Sequence, residues 1–467
     1  MCKLPSYLLV LIAFSLIACQ PDKASDKDTW LVGKIDNPRW EYVVLKHNRT
    51  LLDTVTLDND NFFQYKFNSP VTEGIYSFEH DESFPFYIAQ GDSLLFLANT
   101  LDFEASLYYS NDHAAENNLL VKLNHRLKND NYFWSELHNY TPEKFNEALK
   151  SRRKESNNLL NTFIKDNPNT TKRFLRIAEG VIEQDEFLNR ERYIQAHLSE
   201  GFEAEEIPED FYNHRKQLNF QKDTMEVYYP YYRLLHTYLD NRVLDSFNRK
   251  EEFNRSDFEL NKYKLSLIDS IVDNKDIKNY LLYSSTRSFL LYAKDTAEEK
   301  EFLDLHNRLS SCPISKSSLQ DLSTYTIQLK PGSKAPNIEL LTANNTEVSL
   351  LSVIQQPSVL YFWSSKNIKH QKNIHTRVSE LHAKFPEYQF IGINTDDHFK
   401  NWRSEIKKLG YDEESEFQLF NPEKAEKELV LTSYYKVLIL DKNGVIRNGH
   451  SNIYHRTIEN ELLEYLN

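Results

Sequence analysis

The chain has 467 residues, 40% of them hydrophobic, and its 28 tyrosines and 28 phenylalanines supply enough apolar surface for more than one core. A formal charge of -13 and a pI near 5.7 leave no basic footprint, which argues against nucleic-acid binding and against electrostatic attachment to anionic membranes. Three cysteines, Cys2, Cys19 and Cys312, are too few for a disulfide framework.

Lys3 gives a short positive start, Leu8 to Ile17 form an apolar run, and Leu16-Ile17-Ala18-Cys19 fits the lipobox at which bacterial lipoproteins are cleaved and acylated. Residues 1–18 are therefore expected to be a signal peptide, with Cys19 as the lipid attachment point. A transmembrane anchor is the weaker expectation, because the run falls short of the roughly 20 residues needed to cross a bilayer. Residues 19–28 are polar and charged, as a flexible lipidated tether would be. Acyl chains would then hold the folded body just off a membrane of the cell envelope, and no second hydrophobic segment is long enough to span.

Residues 29–112 read as a β-sandwich-like, antiparallel domain: Tyr42 to Leu45, Leu52 to Leu57, Phe62 to Phe67, Tyr76 to Phe78 and Leu94 to Leu97 are strand-like and separated by turn-formers such as Asp58-Asn59-Asp60-Asn61. Alternation along Thr54 to Leu57 and Gln64 to Phe67 implies one buried and one wet face. From 113 to 328 the period becomes helical, as in Phe174, Ile177, Ala178, Val181 and Ile182, and a helical bundle is expected. Thr141-Pro142 predicts a capped helix start, and Asn167-Pro168-Asn169 predicts a break. The tyrosines around Pro230, from Tyr228 to Tyr232, are a conspicuous aromatic cluster, for which packing between helices is the stronger expectation and recognition the weaker.

Lys330-Pro331-Gly332-Ser333 marks a boundary, and 329–467 then alternate between strand and helix: Val359 to Trp363, a helix over about 367–385, Phe390 to Asn394, a helix around 400–409, Val437 to Leu440, and a closing helix over 456–466. The fold class is accordingly multidomain α+β, ending in an α/β domain.

Tyr361-Phe362-Trp363-Ser364-Ser365-Lys366-Asn367-Ile368-Lys369-His370 resembles the strand-to-helix junction of TlpA/ResA-like thiol-disulfide oxidoreductases, thioredoxin-fold proteins in which Phe-Trp is followed by Cys-x-x-Cys. Gly332 to Pro336, Ile393-Asn394-Thr395-Asp396 and Leu440-Asp441-Lys442-Asn443-Gly444 resemble further landmarks of that family, and Ile88 to Leu94 with Ala114 to Asn118 resemble the β domain that precedes it in many lipoproteins. The resemblance to lipoproteins of Bacteroidetes type implies the outer membrane and leaves open whether the body faces the periplasm or the outside.

The resemblance also implies a catalytic pair and a cis-proline, and here the residues depart from it. The cysteine positions hold Asn367 and His370, and the cis-proline position holds Tyr435. Dithiol exchange needs an attacking thiolate and a resolving thiol, whereas a processed chain acylated at Cys19 keeps only Cys312. Asn367 is nonetheless a good N-cap, so the helix can outlast the chemistry. The expected function is a non-catalytic binding module whose partner, a protein or peptide, is unidentified. The alternative is a TlpA-like thiol-disulfide oxidoreductase, and a third reading is a monothiol function at Cys312.

No cofactor is expected. His370, His375 and His382 share one helix at spacings that do not pair them on a face, which disfavours a metal site. Lys366, Lys369 and Lys372 beside the same helix start are candidates for holding a carboxylate or phosphate, though a solvated basic turn is the stronger expectation.

Overall fold

The computed structural model describes residues 27–47, 50–68, 70–80, 82–128, 140–199, 207–218, 220 and 229–466. Cys2, Cys19, the signal and most of the tether, and Tyr228 lie outside them. The chain forms two compact units, one drawn from Met1–Asn189 and Thr224–Tyr231, the other from Arg190–Asp223 and Tyr232–Asn467. Among the described residues no helix is long and apolar enough to cross a membrane.

The first unit opens with strands β1 (Trp30–Asp36), β2 (Tyr42–His47), β3 (Thr50–Thr56), β4 (Phe62–Lys66), β5 (Gly74–His80), β6 (Glu82–Ile88) and β7 (Ser93–Asn99), then a short helix α1 (Phe103–Ser106) and β8 (Tyr108–Asn111). They form two four-stranded sheets, ordered β4-β1-β7-β8 and β3-β2-β5-β6. Pairing is antiparallel as expected except for β1 with β7, which run parallel because the whole second sheet intervenes between them in sequence. The sheets share one core, in which Phe78 stacks on Phe96 with ring centroids 4.3 Å apart.

Helix α2 (Ala114–Lys128) is tied to the strands by two consecutive asparagines. Asn117 accepts from the Tyr87 amide at 2.7 Å and donates to its carbonyl at 2.8 Å, while Asn118 does the same to Tyr109 at 2.9 and 2.9 Å. Each side-chain amide substitutes for a missing strand neighbour, which satisfies buried backbone groups. α3 (Pro142–Asp166) starts on the Thr141 cap and ends at Asn167, and α4 (Lys172–Ser199) follows. The stripe of Phe174, Ala178, Val181 and Ile182 is buried against Leu119, Leu120 and Leu160.

In the second unit, Glu191 at the end of α4 is fully buried. His214 lies 2.8 Å from its Oε1, Arg215 donates to both oxygens at 2.7 and 2.9 Å, and Asn241 donates to Oε2 at 2.7 Å. Asn241 belongs to α5 (Tyr229–Ser246), on which Tyr232, Leu235 and Leu239 are buried; Tyr231, the residue before Tyr232, is buried too and is counted with the first unit. Helices α6 (Phe258–Ile271), α7 (Lys275–Tyr292), α8 (Thr296–Leu309) and α9 (Pro313–Thr326) follow. Buried Glu299 of α8 accepts from Ser323 at 2.9 Å and Thr326 at 2.5 Å and pairs with buried Lys330 at 2.5 Å.

The remaining elements are β9 (Glu339–Leu341), β10 (Glu347–Ser349), α10 (Leu350–Val353), β11 (Ser358–Trp363), α11 (Ile368–Lys384), β12 (Gln389–Asn394), α12 (Phe399–Leu409), β13 (Glu416–Leu419), α13 (Pro422–Glu428), β14 (Lys436–Leu440), β15 (Ile446–Asn452) and α14 (Ile458–Glu464). They build a seven-stranded sheet, β10-β9-β13-β12-β11-β14-β15. β11 pairs parallel with β12 and antiparallel with β14, so its six residues are all buried. Val359, Tyr361 and Trp363 face a core with Ile374, Leu381, Trp402 and Ile406, whereas Leu360 and Phe362 face the opposite core. That second core also takes in Leu291 of α7, Leu322 and Tyr325 of α9, and Leu329. Gly449 of β15 lies so close to the Leu329 carbonyl that any Cβ there would collide with it.

Candidate functional site

The site grows from the end of β11. Trp363 is the last ladder residue, the chain turns through Ser364 and Ser365, and α11 begins at Ile368. Asn367 is the N-cap: its Oδ1 accepts from the His370 amide at 3.1 Å, which satisfies one of the first-turn donors. Lys366, Lys369 and Lys372 are exposed, and Lys366 lies 3.8 Å from Asp397.

His370 points inward. Its Nε2 lies 3.1 Å from the Phe362 carbonyl and so must carry the proton, while Nδ1 is buried with no hydrogen-bond partner among the described residues. Burial holds the imidazole below its ordinary value; the hydrogen bond to Phe362 opposes this, and the nearby His375 reinforces it. The neutral ring packs against Tyr434 and Tyr435, with centroids 5.4 and 5.5 Å away. Tyr435, at the position where the family resemblance places a cis-proline, also meets Tyr454 edge-on at 5.5 Å. There is no cis peptide bond among the described residues.

Two buried carboxylates brace this junction. Asp396, just past β12, accepts from the Ser364 hydroxyl at 2.5 Å, the Ser365 amide at 2.7 Å, the Ser365 hydroxyl at 2.6 Å and the Asn394 side chain at 3.1 Å. That set of donors fixes the turn before α11. Glu416 of β13 accepts from Tyr361 at 2.5 Å and Trp363 at 2.8 Å and lies 3.1 Å from Nε2 of His375, whose Nδ1 faces the Gln371 carbonyl at 2.7 Å. Both nitrogens of His375 thus face oxygen acceptors. The Glu416 carboxyl occupies the space a Cβ at Gly392 would need. Burial, then Glu416, pushes the Tyr361 phenol well above its ordinary value.

Of the residues singled out from the sequence, the structure brings Asn367, His370 and Tyr435 together at one end of the sheet. Cys312 is half-buried and is the residue immediately before α9. His382 sits in the last turn of α11 against Phe390. Among the described residues no group of histidine, cysteine and carboxylate side chains is arranged to hold a metal ion. Sequence reasoning missed Asp396, Glu416 and Tyr434 as parts of the site. Periodicity gives no signal for them: Glu416 is a buried carboxylate in a strand and looks like a break in the apolar pattern, while Asp396 and Tyr434 lie outside any strand or helix.

The rim of the junction is apolar and wet: Ile368 is 71% exposed, Tyr435 51%, Tyr454 41% and Tyr434 40%. Large side chains that could have been buried are left facing solvent around a buried, neutral histidine. None of the side chains named at this junction carries a thiol.

Residues 331–448 match the model of the AhpC/TSA family. A thioredoxin-like protein from Bacteroides caccae is similar at 14% identity, covering 59% of this chain and 93% of that one, with a TM-score of 0.37. The thioredoxin domain of a thiol-disulfide oxidoreductase from Bacteroides vulgatus is similar at 18% identity over 30% of this chain and 99% of its own, with a TM-score of 0.24. A thiol:disulfide interchange protein from a Bacteroides species is similar at 16% identity over 30% and 89%, also with a TM-score of 0.24. Comparison with curated proteins gave no match. The match over residues 331–448 and the strand order agree: the C-terminal part of this chain is a thioredoxin-like α/β fold, preceded in sequence by a β-sandwich and a run of helices.

Proposed function

We propose that the protein is a lipid-anchored component of the bacterial cell envelope whose thioredoxin-like domain binds a protein or peptide without redox chemistry. The observation that carries this reading is the use made of Asn367 and His370. One side chain caps α11 and the other is buried against Phe362, Tyr434 and Tyr435, so both are committed to holding the fold. The exposed aromatic rim supplies what a recognition surface needs, rigid apolar area with polar tips. The N-terminal lipobox supports acylation at Cys19 and attachment to a membrane, with the outer membrane implied by the resemblance to Bacteroidetes lipoproteins.

Two measurements test the two halves. Protein beginning after the tether should show no dithiol-dependent reduction of insulin above background; turnover that disappears in Cys312→Ser would replace this reading with an oxidoreductase. In cells, metabolic labelling with a fatty acid should mark the full chain and fail to mark Cys19→Ser, and an unlabelled wild type would remove the anchor.

A further inference from the structure

Within the second unit, behind the Tyr434–Tyr435 segment, lies a pocket of about 270 Å3 that the proposed function does not use. Its walls come from α7, from the residues before α6, from the 432–436 segment and from β15. On α7, Ser284, Arg287, Ser288 and Leu291 recur at helical spacing, which turns one face of the helix into the pocket. Arg255 also lines the pocket, its guanidinium 5.5 Å from the ring of Tyr292 at the end of α7.

The charge balance is unusual. The chain carries 69 acidic against 56 basic residues, yet Arg255, Arg287, Lys436 and His450 line this pocket and, among the described residues, no carboxylate does. Neither guanidinium has a carboxylate partner among the described residues. Lys436 is buried, and burial pulls its ammonium down to about 7; among the described residues it meets only the carbonyls of Leu429 at 2.6 Å and Val430 at 3.1 Å, which leaves one N–H of the protonated amine for an anion to accept. Elsewhere in the same unit buried cations are paired, as Lys330 is with Glu299. Burial first, then the charges of Lys436, Arg287, Lys330 and Arg255, push the His450 imidazole down to about 3. Cations gathered without counter-charge repel one another, and an anion bound among them removes that repulsion.

We propose that this pocket binds a small organic dianion, a phosphate monoester or a dicarboxylate, held by Arg255 and Arg287 with the Lys436 amine as a further donor. The volume is that of roughly nine water molecules in the liquid, which suits a metabolite-sized ligand rather than a macromolecular chain. Paired guanidinium groups offer the planar forks that match both oxyanion types. The proposal stands independently of the binding role of the aromatic rim, although Tyr435 borders both.

The test is titration of the soluble protein, at ionic strength fixed with sodium chloride, with inorganic phosphate and separately with succinate, read by calorimetry and by thermal shift. At least one should bind saturably, and Arg287→Gln combined with Arg255→Gln should weaken it tenfold or more. Preference for phosphate assigns a phosphoryl ligand, and preference for succinate a dicarboxylate. No response beyond that of chloride, or equal binding by the double variant, overturns the proposal. A measurement on the wild type guards against misfolding of the variant: the preferred anion should slow phenylglyoxal modification of Arg255 and Arg287, followed by peptide mass spectrometry, at least threefold more than chloride does. Unaltered modification rates also overturn it.

Discussion

The side-chain oxygen of Asn367 accepts the backbone amide of His370 at 3.1 Å, so the two positions at which a dithiol pair is expected are joined to each other by a helix cap. Asn367→Ala should therefore lower stability by about 1 kcal/mol. Asn367→Asp keeps the acceptor, adds favourable charge at the positive end of α11, and should cost little or nothing. Urea unfolding of the two variants checks this, and equal losses would deny the cap.

Gly392→Ala should destabilise more than its size suggests. The added Cβ meets the Glu416 carboxyl, on which the Tyr361 and Trp363 side chains converge. Overpacking of this kind costs about 1–3 kcal/mol. Pairing it with Glu416→Ser returns the space but leaves those donors without their carboxylate, so the double variant should gain back the steric part only. Denaturation midpoints with near-UV circular dichroism, which senses Trp363, separate the two effects.

Acid should weaken the helical part of the second unit through Glu191. Burial alone would raise this carboxyl, but hydrogen bonds from His214 and Arg215 and the Arg215 charge hold it at about 2, against an ordinary 4.5. Between those values the unfolded chain binds a proton that the folded chain does not, so stability rises with pH there. The contribution is complete above pH 4.5 and disappears as pH falls towards 2. Glu191→Gln should lie well below wild type at neutral pH, and the gap should close across that window. A gap in unfolding free energy that is constant with pH would show that the carboxylate charge is not what Glu191 contributes.

Lys330→Met removes the cation from Glu299, which stays buried with two hydroxyl donors. An uncompensated buried carboxylate costs about 3–5 kcal/mol. Adding Glu299→Gln removes the charge while preserving an acceptor for Ser323 and Thr326, so the double variant should be more stable than Lys330→Met alone. Such non-additivity, measured by chemical denaturation, is the signature of a coupled pair.

Much of this architecture was legible before any coordinates. The period-2 runs of the first domain, the Thr141-Pro142 helix start, the stripe around Ala178 and the strand–helix order after 355 all have local causes, and the structure places α11 at Ile368–Lys384 and β14 at Lys436–Leu440. Short elements escaped: β9, β10 and β13 have three or four residues each, too few to establish a period. β13 is also misleading in composition, because Glu416 and Gln418 are buried polar residues whose partners come from β11, α11 and the end of β12 with the residues just past it. The site was half legible for the same reason. Asn367 and His370 lie in a recognisable local segment, whereas Asp396, Glu416 and the basic pocket are assembled from residues far apart in sequence, which no window along the chain can join.

The contact of Gly449 with Leu329 bears on how the C-terminal third can be studied. Proline and glycine near residue 331 mark where one sequence pattern stops, and the family match starts there, yet the hydrophobic interior runs straight through: Leu291, Leu322, Tyr325 and Leu329 roof one side of the sheet that holds Leu360 and Phe362. A fragment cut at that point would expose a bare apolar wall to water and clump. The edge that ancestry draws in this chain and the edge that folding draws fall in different places, and deletion experiments should follow the second.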